Sequence, residues 1–195
     1  FQPQLLVAEP DPPRDRPPLL VGLHGATGTA GDYHEHWLPA TRLGCLVASV
    51  QSSQPATETA FCWDDRGHVR RDLGTLLPRL PAHGEIVLTG FSQGGQVALE
   101  LALAGDVVPA EAVIAVGPSF PPGAHFPAAA RRLAVVLLYG TDDPWGRGVA
   151  TTAEALRAAG HGVVIDEVAG LGHAFPADFP ERIGGLLAKA GVRGL

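Results

Sequence analysis

The stretch EIVLTGFSQGGQVALELALAG, residues 85–105, decides how this chain folds. Its opening run, EIVLTG, is apolar and β-branched, as in a strand buried on both faces. Its closing run, Gln93 to Ala104, is rich in alanine and leucine, and Gly105 is placed to end a helix. Between them stands Gly90-Phe91-Ser92-Gln93-Gly94-Gly95, a G-x-S-x-G spacing at a strand-to-helix turn. A serine on so sharp a turn has a strained backbone. The positions two before and two after it come too close to carry side chains, and glycine at 90 and 94 relieves that crowding. The Ser92 hydroxyl is then presented at the carboxyl end of the strand. The following helix aims the positive end of its dipole at the same spot, which favours a developing anion.

Outward from this turn, strand and helix alternate along the chain. QLLVAE (4–9), LLVGLHG (19–25), CLVASV (45–50), EAVIAVG (111–117), LAVVLLYG (133–140) and GVVIDEV (162–168) each have the length of a strand. Helical stretches are expected at 29–42, 66–80, 93–104, 148–159 and 178–190. In 66–80, Val69, Leu73, Leu76, Leu77 and Leu80 recur at helical spacing, and Asp64 or Asp65 serves as the N-cap. PDPPRDRPP (10–18) must be a loop, because its prolines lack amide donors and fix φ. This alternation predicts an α/β fold, a mostly parallel sheet with helices on both faces. Ligands of such sheets bind beyond the carboxyl ends of the strands. No internal repeat or linker interrupts the 195 residues, which read as a single domain spanning 1–195.

Composition removes several classes. Hydrophobic residues at 46% against 17% charged exclude a disordered chain. The longest apolar runs, LLVGL (19–23) and LAVVLLY (133–139), fall far short of the roughly 20 residues of a membrane span. The net charge is -6 and the 14 lysines and arginines are scattered, which excludes nucleic acid as the main partner. A cytoplasmic location is expected. Met is absent, so Phe1 reads as a trimmed or processed start. Two cysteines are too few for a disulfide framework or a zinc ribbon. Cys45 reads as a core residue and Cys62 as a free thiol, with a Cys45–Cys62 bridge the alternative in an oxidising compartment.

A serine at its free pKa needs a base. Among the 8 histidines, His173 lies in GLGHAFP, directly after the last strand and on the same sheet edge as Ser92. His68, His83 and His161 flank helices or precede a strand at the far edge. The base in turn needs a carboxylate to hold its tautomer. Thr141-Asp142-Asp143-Pro144 follows a strand on the correct edge, with Asp143 preferred and Asp142 the alternative. Serine, acid, histidine is the chain order of one hydrolase architecture. Two amides are needed for an oxyanion: the N–H of Gln93, after the serine, and that of Ala26, in the loop following LLVGLHG. His24 is expected to brace that loop.

Taken together, LHGATG, GFSQGG, YGTDDP and GLGHAFP, in this order across residues 19–190, resemble the α/β-hydrolase superfamily. The resemblance is to its phospholipase/carboxylesterase group, which includes the acyl-protein thioesterases and bacterial predicted esterases. It selects Asp143 over Asp142. It implies a compact α/β-hydrolase fold without a lid domain, and hydrolysis of a small-molecule ester or thioester. It requires no metal and no organic cofactor. One departure is local: Trp145-Gly146-Arg147 stand where the family often carries valines after Asp-Pro. The extended loop on the active edge is 117–132, which leaves a fairly open site.

Trp63, Phe120, Trp145 and Phe175 follow or lie near strand ends and are expected to line an apolar acyl pocket. Gln51-Ser52-Ser53-Gln54 is expected at its rim. His34-Glu35-His36 is read as a rim helix and not a metal site, because residues two apart on a helix point in different directions. The expected function is a serine hydrolase of carboxylic esters or thioesters. The alternatives are an acyltransferase or other hydrolase on the same triad, and a non-catalytic binding protein that kept the fold.

Overall fold

Seven strands form the central sheet of the computed structural model, which describes residues 1–120, 126, 131–193 and 195. They are β1 (Gln4–Ala8), β2 (Leu19–Leu23), β3 (Leu46–Gln51), β6 (Ile86–Phe91), β7 (Ala112–Val116), β8 (Ala134–Gly140) and β9 (Gly162–Val168). A separate ribbon pairs β4 (Gln54–Pro55) with β5 (Phe61–Cys62). The sheet order is β1-β3-β2-β6-β7-β8-β9. Every pair is parallel except β1 with β3, where Gln4 faces Gln51 and Ala8 faces Val47. From β2 the chain turns outward to β3, then returns to place β6 on the other side. That reversal puts a crevice beyond the carboxyl ends of β2 and β6, the place where open parallel sheets bind ligands.

Among the described residues, five α-helices cover the two faces: α1 (Ala30–Trp37), α2 (Arg66–Leu76), α3 (Gln93–Ala104), α4 (Val149–Ala158) and α5 (Phe179–Lys189). Alternate strand residues explain the division. Leu19, Val21, Leu46, Leu88, Val113 and Val135 pack with residues of α2, α3 and α4. Leu20, Val47, Val87, Ile114 and Val136 pack with Trp37 of α1 and with Phe179, Ile183 and Leu187 of α5. Burial on both faces is why these strands read as continuous apolar runs and not as alternating ones.

Two expected helices are shorter than their sequence pattern. The stretch 29–42 is α1 followed by a 3-10 segment, Leu38–Leu43, and 66–80 is α2 followed by a 3-10 turn, Leu77–Arg79. Pro39 and Pro78 are the cause, since each removes an amide that an α-helix would use. The N-cap of α2 is Asp65, whose carboxylate accepts from the amides of Gly67 and His68, so Asp64 is free for another contact. Cys45 and Cys62 are both buried free thiols, not a bridge. Burial pushes the Cys45 thiol up to about 11. Most of the loop 117–132, expected on the active edge, lies outside the described residues. Among the described residues no helix is long and apolar enough to cross a membrane.

Candidate active site

Strand β6 delivers Ser92 to the carboxyl edge at φ 52 and ψ -120, a backbone that side chains rarely adopt. Its amide is anchored on the Val116 carbonyl at 2.9 Å. The two glycines of the turn are sterically required. A Cβ at Gly90 would lie 2.4 Å from the Gly94 carbonyl carbon, and one at Gly94 would lie 2.3 Å from the Leu23 carbonyl oxygen. These contacts draw β2, β6 and α3 together around the serine.

His173 arrives from the loop after β9. Its Nε2 stands 2.9 Å from Ser92 Oγ, and its Nδ1 stands 2.8 Å from Asp143 Oδ2. The Asp143 side chain is fully buried, while the imidazole is about one-quarter exposed. Asp143 Oδ1 also accepts from the Trp145 amide at 2.8 Å. Asp142 is exposed, and its Oδ1 is met by the Thr141 hydroxyl. Of the two adjacent carboxylates, the structure therefore brings only Asp143 to His173.

Two residues missed in the sequence make this arrangement fit. The line from Ser92 to His173 and Asp143 crosses the end of β7, where Gly117 sits at φ 52. A Cβ there would lie in ordinary contact, 3.4 Å from both Asp143 Oδ2 and His173 Nδ1, so it is the left-handed backbone that calls for glycine beside these two groups. At Gly140 a Cβ would fall 1.8 Å from the Leu171 carbonyl oxygen, so glycine lets the histidine loop lie against the end of β8. Both glycines close apolar strands in the sequence. A strand-ending glycine at the edge that carries the site is the signal that could have found them.

The expected oxyanion donors come from two elements. Ala26 is exposed in the loop after β2, and Gln93 is the first residue of α3. Among the described residues neither amide has an acceptor. His24 braces the loop: Nδ1 donates to the Gly25 carbonyl at 2.8 Å, and Nε2 accepts from the Ser52 amide at 3.3 Å. Burial lowers its pKa, keeping the ring neutral in that role.

The expected acyl wall is only partly where it was placed. Trp63 is fully buried, and its Nε1–H donates to the His24 carbonyl at 2.7 Å, so it is a brace inside the core and not a pocket lining. Phe120 is buried against the apolar cluster of α2, α3 and α4. Trp145 is exposed beside Asp143. Phe175 stacks on Phe91, at 5.0 Å between ring centroids, and Phe91 lies 4.8 Å from the His173 ring. Phe91 and Tyr33, stacked at 5.4 Å, are aromatic neighbours of the site that the sequence reading left out. The expected rim is likewise internal in part. Gln51, Ser52 and Gln54 are buried, and Gln51 Oε1 accepts from the Ala30 amide at the start of α1. His34 and His36 diverge: one meets Ser49 Oγ at 2.8 Å, the other stacks on Phe175 at 3.9 Å. Among the described residues no cluster of His, Cys, Asp or Glu is placed to hold a metal ion.

Fold and site together define an α/β-hydrolase. The model of the phospholipase/carboxylesterase family matches residues 73–189, and the chain belongs to that family. Solved structures agree on the fold. An uncharacterized protein from Bacillus cereus superposes with a TM-score of 0.81 at 18% identity, over 92% of this chain and 61% of that one. This chain thus spans less than two thirds of that protein's length. Esterase PE8 superposes with a TM-score of 0.81 at 17% identity, over 97% of this chain and 100% of its own. A butyrate-bound esterase from the planctomycete Thermogutta terrifontis superposes at 0.72 with 18% identity, over 98% of this chain and 90% of that one. No curated protein sequence matches this chain.

Proposed function

We propose that this protein is a serine hydrolase of carboxylic esters, working through an acyl-enzyme on Ser92. The observation that carries the reading is the unbroken hydrogen-bonded line from Ser92 Oγ to His173 Nε2 at 2.9 Å, and from His173 Nδ1 to Asp143 Oδ2 at 2.8 Å. His173 removes the Ser92 proton as Oγ bonds to the carbonyl carbon. The carbonyl electron pair moves onto oxygen, where the Ala26 and Gln93 amides receive it. Asp143 stabilises the imidazolium and fixes its tautomer. His173 then gives the proton to the leaving alcohol as the C–O bond breaks. Water repeats the sequence on the acyl-enzyme, with His173 again the base, and releases the acid and free Ser92. A thioester would follow the same path, with a thiol leaving. The butyrate bound in the Thermogutta terrifontis esterase supports short acyl groups.

Intact-mass analysis after incubation with a fluorophosphonate tests this, alongside turnover of p-nitrophenyl butyrate and of a butyryl thioester. A single adduct on the wild type, absent from Ser92→Ala, with ester turnover lost in the same variant, is expected. A folded wild type that takes no adduct and turns over no ester would overturn the reading.

A further inference from the structure

The two amides assigned to the oxyanion belong to different elements, the loop after β2 and the start of α3. Their separation is therefore set by tertiary contacts. Gly94 supplies one, packing against the carbonyl oxygens of Leu23 and His24. A second set comes from one short segment, residues 61–64, which grips both sides.

On the helix side, the Trp63 main-chain N–H donates to Gln93 Oε1 at 2.9 Å. Gln93 Nε2 donates to Asp64 Oδ1 at 2.7 Å. With an amide donor at one end and a carboxylate at the other, the Gln93 carboxamide has one satisfied orientation. On the loop side, Trp63 Nε1–H donates to the His24 carbonyl at 2.7 Å, and the indole packs on the His24 ring with centroids 4.6 Å apart. The Phe61 amide donates to the Gly28 carbonyl at 3.1 Å. Ala26 is thus bracketed by contacts at His24 and Gly28. The indole is fully buried, so its hydrogen bond is shielded from competing water.

We infer that Trp63 and the Gln93 side chain are positioning residues, a tie that sets the distance between the Ala26 and Gln93 amides. The inference rests on the ester-hydrolase reading above. Both side chains act through the amides and not on the substrate. Their loss therefore falls on the step in which the oxyanion forms, which lowers kcat while leaving ground-state binding largely intact.

Gln93→Glu tests this, because it keeps the main-chain amide and an acceptor for the Trp63 N–H but sets a second carboxylate against Asp64. Adding Asp64→Asn supplies an N–H to that carboxylate and remakes the pair. Gln93→Glu is expected to lower kcat on p-nitrophenyl butyrate by about tenfold or more, with KM within about twofold. Inhibition by a trifluoromethyl ketone, which forms a tetrahedral adduct, should weaken by a similar factor. The double variant should recover at least about half of that loss on a logarithmic scale. Trp63→Phe, which deletes the Nε1–H and also shrinks a buried indole to a phenyl ring, should show the same split between kcat and KM, with melting temperature followed alongside to read the loss of packing. A Gln93→Glu kcat within about twofold of wild type, a loss confined to KM, or a loss that Asp64→Asn does not relieve would overturn the tie. A wild type without labelling or turnover would overturn the hydrolase reading and the tie with it. An active wild type with indifferent variants overturns the tie alone.

Discussion

Asp142 and Asp143 are neighbours with the same side chain, yet their surroundings separate them. The Asp143 carboxylate is fully buried and divided between two donors, His173 Nδ1–H and the Trp145 amide. Asp142 faces solvent and takes the Thr141 hydroxyl. Asn at 143 would present an N–H where an acceptor is needed and favour the wrong imidazole tautomer. Asp143→Asn is therefore expected to lower kcat by about 10⁴-fold, and Asp142→Asn by less than about tenfold. Steady-state turnover of p-nitrophenyl butyrate by the two variants checks this, and the reverse order would move the acid to Asp142. This choice was partly legible in the sequence, because strand order put both aspartates on the correct edge. Ser92 was more legible still, since each glycine around it has a steric reason that spacing alone exposes. Trp63 was not. Proximity to a strand end says nothing about the direction of an indole, and this one turns inward to the His24 carbonyl.

Between strands, glycine controls how closely elements meet. The histidine loop is laced to the end of β8 by Thr141 N–H to Val168 O at 3.0 Å, Asp142 N–H to Leu171 O at 3.0 Å, and Gly170 N–H to Thr141 Oγ1 at 2.8 Å. Gly140→Ala would drive a Cβ to 1.8 Å from the Leu171 oxygen, so the loop must move, and His173 lies two residues beyond. Misplacement by about 1 Å costs on the order of 10²-fold in rate. Gly140→Ala should lower kcat by at least that factor and lower the melting temperature; a variant with wild-type kcat would show that the loop does not position His173. Gly74 is the opposite case, an exposed position inside α2 where a Cβ meets nothing within 4 Å. Gly74→Ala should raise stability by about 0.5–1 kcal/mol in urea denaturation, with activity unchanged. At this scale the strands were the most legible feature, because burial on both faces leaves a plain apolar run. The β4–β5 ribbon was invisible, since its two-residue strands carry no period. The 3-10 segments continued a helical apolar spacing past prolines that changed the hydrogen bonding.

Across the molecule as a whole, burial lowers the pKa of four histidines among the described residues, His24, His34, His36 and His161, from the ordinary value of 6.5. Two of them use a bare ring nitrogen structurally. His24 Nε2 accepts from the Ser52 amide, and His161 Nδ1 accepts from the Leu133 amide at 3.2 Å. Protonation would turn each acceptor into a donor facing a donor. The unfolded chain binds these protons near the ordinary value, while the folded chain resists them. Below about pH 6.5 the unfolded state therefore holds more protons, and stability falls as pH falls. The contribution is present above the unfolded pKa and is lost as pH drops through the lowered folded values. The carboxylates with lowered pKa, Asp65, Asp106 and Asp178, act only further down, because their ordinary value is 3.8. The melting temperature should thus decline between about pH 7 and pH 5, before carboxylate titration begins in earnest. His161→Gln keeps an acceptor for the Leu133 amide but cannot titrate, so it should flatten the slope over that interval. Thermal unfolding followed by circular dichroism at stepped pH measures both. A melting temperature that held constant or rose on acidification from pH 7 to pH 5 would mean that these rings take up protons in the fold as readily as in the open chain.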